Sequence, residues 1–364
     1  IKFNLTALLK NKTFVIFIAP LLLGAITVFG FSPYNLTFLN FFTFSILLFL
    51  IFLIKKKTLS TYRKKKSNRY FFYLGCSFGF GFFLFGNYWI TISLTHDESF
   101  NNLIPFALIL LPLYLSIFFG LAILTVGRFS EKNISFILFF SLSFSIFEYL
   151  RGNLLTGFPW NIISYTWSWS LESIQILSIL GTYSLSLISI TFFCIPFLFL
   201  QNKIVKKNVV FLILVSSLFL VNYLYGSNKI KNSNYDYEKN FNVKIISPSF
   251  SLQDYITNSE FNQLKRLIKI SEPEKDKKTL FIWPEGIFYE SYLENIVLYK
   301  DLFIDVFSEN HLIALGINNF VKTDNSSNKK YFNSLVILNH KLEILHVYNK
   351  INLVPFGEFL PFEN

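Results

Sequence analysis

The chain has 364 residues, of which 52% are hydrophobic, 20% aromatic and only 15% charged, with a formal net charge of +11. Soluble globular domains carry nearer 25% charged residues, so this composition excludes a wholly soluble chain. The charge is also unevenly divided: residues 1–225 hold 17 Lys and Arg against 5 Asp and Glu, whereas 226–364 hold 16 against 17. The first part is therefore +12 and the second −1. Most of the basic excess sits in short gaps between apolar runs, where Lys and Arg set topology and meet anionic lipid. That placement argues against nucleic acid as a partner.

Seven apolar runs follow one another at about 13–31, 36–54, 70–95, 103–126, 134–150, 174–200 and 209–225. Each is long enough as a helix to cross a hydrocarbon core of about 30 Å. The first is too long for a signal-peptide core, and no small-residue cleavage site follows it, so it reads as a retained helix. The expectation is a multi-pass α-helical membrane bundle of about seven helices over 1–225. Gly75, Gly79, Gly81 and Gly86 in the third run are spaced for close helix approach. Glu148 and Arg151 at the end of the fifth read as an interfacial ion pair. The loop Thr156–Asn161 that follows combines turn residues with aromatics.

Orientation comes from the gaps. With the N-terminus inside, the inner segments 1–12, 55–69, 127–133 and 201–208 carry 16 Lys and Arg, and the outer loops carry one, Arg151. Such a bias places the N-terminus in the cytoplasm and everything after Tyr225 outside the inner membrane. The two cysteines, Cys76 and Cys194, lie in apolar runs, too few and too far apart for a metal site or a disulfide framework. No metal or cofactor is expected.

Residues 226–240 are polar and read as a linker. After it, 241–364 alternates strand and helix patterns: strands at Phe241–Ile246, Thr279–Trp283 and 311–317, helices at 259–270 and 295–309, and a hairpin of 331–339 with 341–349. That pattern predicts a layered α/β domain. Within it, Pro284 ends an apolar strand and delivers Glu285 to its carboxyl end, where α/β folds place their sites. A partly buried carboxylate there suits general-base work, and an ordinary glutamate at the top of a loop is the other reading of it. Lys350 follows the last strand and precedes a Pro-Phe-Gly-Glu turn carrying Glu358. An isolated ammonium among apolar residues suits an oxyanion, and a salt bridge is the other reading of it.

Phe281-Ile282-Trp283-Pro284-Glu285 and the stretch Tyr348-Asn349-Lys350 to Leu353-Val354-Pro355-Phe356-Gly357-Glu358 resemble the nitrilase-type domain of bacterial apolipoprotein N-acyltransferases. Phe31–Asn35, Gly81–Ile90, Pro112–Tyr114 and Gly157–Trp160 resemble patches of that family's membrane part. The resemblance implies an α-β-β-α sandwich outside the bacterial inner membrane, on its periplasmic side, and a Glu-Lys-Cys triad. Glu285 would be the general base and Lys350 the oxyanion stabiliser. Glu358, Asn333 and Trp283 would support them. A cysteine thioester would carry an acyl chain from a phospholipid to the α-amine of an apolipoprotein's diacylglyceryl-cysteine. The family's cysteine lies beyond the lysine motif, and no cysteine follows Cys194; the sequence is expected to stop short of the nucleophile, leaving the sandwich incomplete. Gly286 stands where the family more often has Thr or Ser. The rival readings are a membrane-tethered amidase and a transporter with an external sensory domain. The near absence of ionisable groups inside the apolar runs counts against the transporter.

Overall fold

The computed structural model describes residues 9–57, 64–96, 98–128, 134–155, 157–200, 205–233, 241–250, 252–322, 329–354 and 358. The chain divides into two compact units, Ile1–Ser233 and Asn234–Asn364. In the first, all seven apolar runs are helical: Phe14–Gly30, Leu39–Lys57, Lys64–Asn87, Ile104–Arg128, Ile134–Asn153, Thr182–Phe199 and Lys206–Lys231. Five are long and apolar enough to cross a membrane. The other two are Phe14–Gly30, which is shorter, and Lys64–Asn87, whose first two turns carry Lys64, Lys65, Lys66 and Arg69.

Apolar residues point both ways along these helices. Phe44, Phe78, Phe119, Phe144 and Phe193 have no exposed surface, while Phe106, Ile109, Leu110 and Leu113 stand half or more exposed. A helix that is apolar all round needs a protein core on one side and lipid on the other. The inner side is a stack of rings; Phe119 and Phe144 have centroids 4.4 Å apart. Helix Lys64–Asn87 reaches two neighbours through its glycines. A Cβ on Gly75 would lie 2.4 Å from the Phe119 carbonyl oxygen, and one on Gly81 2.1 Å from that of Leu21. Only glycine permits those approaches, as the spacing predicts.

The elements of this unit depart from the sequence expectation at two places. The run 174–200 is not one helix: Leu177–Leu180 ends at Gly181, which has φ of +75°, and Thr182–Phe193 passes into a 3₁₀ turn that contains Pro196. A positive φ ends a helix, and proline lacks the N–H that would continue one. The polar stretch expected as a linker is helical as far as Lys231. Gly226 holds that end of the helix against the Glu172 backbone, where a Cβ would meet the carbonyl oxygen at 1.9 Å. Residues 234–240 lie outside the described residues.

The second unit is an α/β domain built on one six-stranded sheet among the described residues. Strands β1 (Asn242–Ile245), β2 (Thr279–Ile282) and β4 (His311–Lys322) run parallel, and β5 (Lys329–Asn339) and β6 (Ile344–Asn349) continue the sheet antiparallel. Strand β3 (Phe288–Tyr292) pairs with the far end of β4. The short strand β3 and the helix Leu252–Thr257 carry too few apolar positions to stand out by period. The helix expected at 295–309 is a 3₁₀ turn, Leu293–Tyr299, followed by Lys300–Ile304.

Period-2 alternation divides the sheet into two faces. Phe281, Ile313, Leu315, Val336 and Leu338 form one core with Leu264 and Leu267 of the amphipathic helix Glu260–Ser271. On the other face the registers line up Ile245, Ile282, Ala314 and Ile337. Gly316, Leu335 and Tyr348 continue it, and Ile245 is 77% exposed.

Glu260, 1% exposed at the start of that helix, ties the helix to β3. It accepts hydrogen bonds from the amides of Glu290 (2.8 Å) and Ser291 (3.1 Å) and from the hydroxyls of Ser291 (2.6 Å) and Tyr299 (2.5 Å). Removing a buried charged acceptor strands all of its donors. Glu260→Ala is expected to cost about 3 kcal/mol or more of domain stability. Hydrogen exchange at the Glu290 and Ser291 amides should accelerate with it, and unchanged protection there would refute the assignment.

Candidate functional site

Four polar side chains from three parts of the second unit meet at one end of the open sheet face. Strand β2 ends at Ile282; the Trp283 amide still donates to Ala314 at 2.9 Å, and Pro284 then leaves the ladder. Glu285 follows, lying against Gly316 of β4, where a Cβ would sit 3.3 Å from the Glu285 Cα. Gly286 has φ of +80°. Thr or Ser would be strained in that conformation, which accounts for glycine at this position.

Asn333 on β5 is the centre. Its Nδ2 donates to Glu285 Oε1 at 2.6 Å and to Glu358 Oε1 at 2.9 Å. Lys350 sits one residue beyond β6, its amide donating to the Asn333 carbonyl at 2.8 Å, so the antiparallel register places it beside Asn333. Its Nζ donates to Glu358 Oε1 at 2.6 Å. Glu358 is held in turn through Oε2 by the Val354 amide at 2.7 Å. Alongside, Ser334 Oγ donates to Asn349 Oδ1 at 2.7 Å, pinning β5 to β6 beneath the cluster.

Of the five residues singled out in the sequence, Glu285, Asn333, Lys350 and Glu358 thus come together. Trp283 does not join them. It is 3% exposed, faces the opposite core against Phe303, and donates its indole N–H to Ser271 Oγ at 3.1 Å. Alternation turns it away, since Phe281 and Trp283 share the covered face. Two expectations are corrected. Glu285 is exposed rather than partly buried, because it follows Pro284 out of the sheet. Lys350 is not an isolated cation: Glu358, eight residues on, closes a salt bridge to it. The ammonium has three donors and spends one there. Pro355-Phe356-Gly357 of the turn lie outside the described residues. Gly316 and the Val354 amide had no individual signature in the sequence. Among the described residues no group of three or more His, Cys, Asp or Glu side chains could hold a metal.

The pairing sets the electrostatics. The hydrogen bond from Lys350 is the main reason the Glu358 carboxyl titrates below its ordinary value, with the Val354 amide and Asn333 adding to it. The hydrogen bond to Glu358 likewise holds the Lys350 ammonium above its usual value, and the charge of Glu285 adds to this. A lowered carboxyl contributes stability above the ordinary carboxylate value and loses it as pH falls through the lowered one. A raised ammonium contributes below the ordinary lysine value and loses it only as pH rises through the raised one. The stability gap between the parent and Glu358→Gln should therefore be flat from about pH 6 to 9 and shrink as pH falls below the ordinary carboxylate value of about 4.3. Thermal unfolding across that range and into acid measures it, and a gap that does not shrink at all in acid would contradict the pairing.

The sequence model described as the apolipoprotein N-acyltransferase N-terminal domain matches residues 23–195, within the helical unit. Over 359 residues the chain is 27% identical to an apolipoprotein N-acyltransferase of Rhodopseudomonas palustris, covering 95% of this chain and 66% of that protein. It is 31% identical over 302 residues to that of Rickettsia prowazekii, covering 80% of this chain and 58% of the relative. To that of Rickettsia bellii it is 32% identical over 290 residues, or 79% and 57%. The chain spans less than two thirds of the length of these curated relatives. A helical unit matched over 23–195 and relatives that run on into the second unit point the same way: the chain is similar to apolipoprotein N-acyltransferases along most of its length.

Proposed function

We propose that the protein transfers an acyl chain from a phospholipid to the α-amine of an apolipoprotein's diacylglyceryl-cysteine, with Glu285 as general base and Lys350 as oxyanion stabiliser. The observation that carries this reading is the bridge of Asn333 between Glu285 and Glu358, with Lys350 on Glu358. It sets a proton acceptor and an ammonium within one network. The thiol they serve lies outside residues 1–364 in this reading, because Cys76 and Cys194 both belong to apolar helices and Cys194 has no exposed surface.

Glu285 takes the thiol proton, and the thiolate adds to the ester carbonyl of the lipid. Negative charge moves onto the carbonyl oxygen, where the Lys350 ammonium stabilises it. Collapse forms the thioester and breaks the ester C–O bond, and the lysolipid alkoxide leaves with the proton from Glu285. In the second half the incoming amine adds to the thioester. Glu285 takes a proton from nitrogen, and the thiolate departs as the amide forms. The open face through Ile245, Ile282 and Ile337 supports the expected α-β-β-α sandwich, since an apolar sheet face needs a covering layer.

The loop charge supports a catalytic unit on the periplasmic side of the inner membrane. With Cys76 and Cys194 replaced, a single cysteine at Asn101 is expected to react with a membrane-impermeant thiol reagent from outside, and one at Lys56 to stay protected. The opposite pattern would reverse the orientation.

In the full-length protein, Glu285→Gln is expected to slow thioester formation by about 10²–10⁴, the usual range for a lost general base. Lys350→Ala should cost about 10²–10³, as for one oxyanion donor. Lys350→Arg should restore little, because a planar guanidinium does not place a compact charge at the same point. Acyl-enzyme formed per folded molecule is the measurement. Parental rates in a well-folded Lys350→Ala protein would remove the lysine from the mechanism.

A further inference from the structure

The helix Lys206–Lys231 is fastened to the rest of its unit mainly at one end. Of its 26 residues only Asn208, Val215 and Gly226 are buried. Towards the C-terminal end the Gly226 backbone lies against that of Glu172, and the Asn222 side chain donates to the Ser173 carbonyl at 2.9 Å. The Phe219 ring stacks on Phe192 with centroids 4.4 Å apart. One turn before Phe219 the contact opens. A cavity of about 360 Å³ lies between Leu212 and Ser216 of this helix and Phe192, Ile195, Pro196 and Phe199 across from them.

The opposing wall is not a regular helix there. Thr182–Phe193 gives way to the 3₁₀ turn Ile195–Phe199, with Pro196 at its start. A 3₁₀ turn is tighter than an α-helix and sets side chains at i and i+3 over one another, so Pro196 and Phe199 stand on one wall. Every side chain around the cavity is apolar except Ser216, and an apolar cavity does not hold water. Phe199 is 37% exposed, so the cleft opens on the outside of the bundle, where a membrane offers hydrocarbon. A rise of 1.5 Å per residue puts Leu212 and Ser216 roughly 9 and 15 Å along the helix from Lys206. That is the depth of one leaflet's chains in a hydrocarbon core of about 30 Å. Lys206 and Lys207 are exposed at the near end of the helix, and the sequence holds no Asp or Glu between Glu172 and Asp236. Two unopposed cations above an apolar cleft match an anionic headgroup above its acyl chain.

We propose that this cleft binds an anionic phospholipid, with one acyl chain against Phe192, Pro196 and Phe199 and the headgroup phosphate on Lys206 and Lys207. The site lies wholly within the helical unit and is independent of the acyl-transfer reading above. The bound chain fastens to the bundle the half of the helix that Phe219, Asn222 and Gly226 do not reach.

The test is native mass spectrometry of the full-length protein, released from detergent micelles after titration with phosphatidylglycerol or with phosphatidylcholine of the same chains. The parent is expected to retain one saturable equivalent of phosphatidylglycerol, preferred about tenfold or more over phosphatidylcholine. Lys206→Gln combined with Lys207→Gln should erase that preference. Ser216→Phe, which fills the cleft, should lower retention of both lipids about tenfold, because the chain loses its burial. Ile213→Phe, at a position 62% exposed on the same helix, should change neither. Parental retention in the double lysine variant or in a folded Ser216→Phe protein overturns the inference, as does equal retention of the two lipids by the parent. If Ser216→Phe does not fold, the lysine variant, which alters exposed residues alone, decides. A lipid-free dimer that Ser216→Phe dissociates would give the cleft to a second copy of the chain and overturn the inference as well. Retention lost in Lys350→Ala and kept in both helix variants would assign the lipid to the acyl-donor site instead.

Discussion

One amide group holds the second unit's polar cluster together. Asn333 Nδ2 sits between two carboxylates, Glu285 and Glu358, that would otherwise repel each other. Two like charges drawn to one point are stable only if donors or a cation lie between them. Here the amide supplies the donors and Lys350 the cation, on the Glu358 side alone. That asymmetry separates the roles of the two carboxylates. Glu358 is engaged by an ammonium and a backbone amide, whereas Glu285 stands exposed with Asn333 as its hydrogen-bonded neighbour, as the proton acceptor of the proposed reaction would need.

Everything in the sheet that matters to this cluster serves register. The antiparallel pairing of β5 with β6 puts Ser334 opposite Asn349, and so Asn333 opposite Lys350. A slip of one residue would send Asn333 to the covered face. The parallel pairing of β2 with β4 brings Glu285 over Gly316, the position with no side chain to displace it. Ser334 bonded to Asn349 resists such a slip from beneath.

The sequence exposed much of this and hid the rest for physical reasons. Seven apolar runs were legible because lipid removes any alternative for a long uncharged stretch, and the glycines of the third because close approach leaves no other residue type. The break at Gly181 was not, since a glycine inside an apolar run is equally compatible with an unbroken helix. In the second unit, strands with clear alternation were readable; β3 was not, because its polar Glu290 and Ser291 are tied down by a distant Glu260 rather than by period. Glu285 and Lys350 stood out by local pattern and by resemblance. Their linkage through Asn333 is a tertiary fact, and so is the salt bridge that replaced the isolated cation. Trp283 shows the limit of reasoning from adjacency: two residues from Glu285 in the chain, it faces the other side of the sheet.

Glu260 and Arg151 are the two most instructive buried charges, and they are built on opposite plans. Glu260 is met by four donors at short distances, two of them backbone amides of one strand. Such full satisfaction is what a structural role requires, since a partly satisfied buried charge is worse than none. Arg151 has two carbonyls and an aromatic face, with two nitrogens unpartnered among the described residues. A site selected for stability alone would sooner replace that guanidinium with an apolar side chain of similar volume, as buried ion pairs tolerate elsewhere. Arg151 shares its helix end with the buried Glu148, and both side chains hold the segment that follows. The carbonyls of Phe158 and Trp160 are its hydrogen-bond partners, and Trp160 is where that segment meets Trp89.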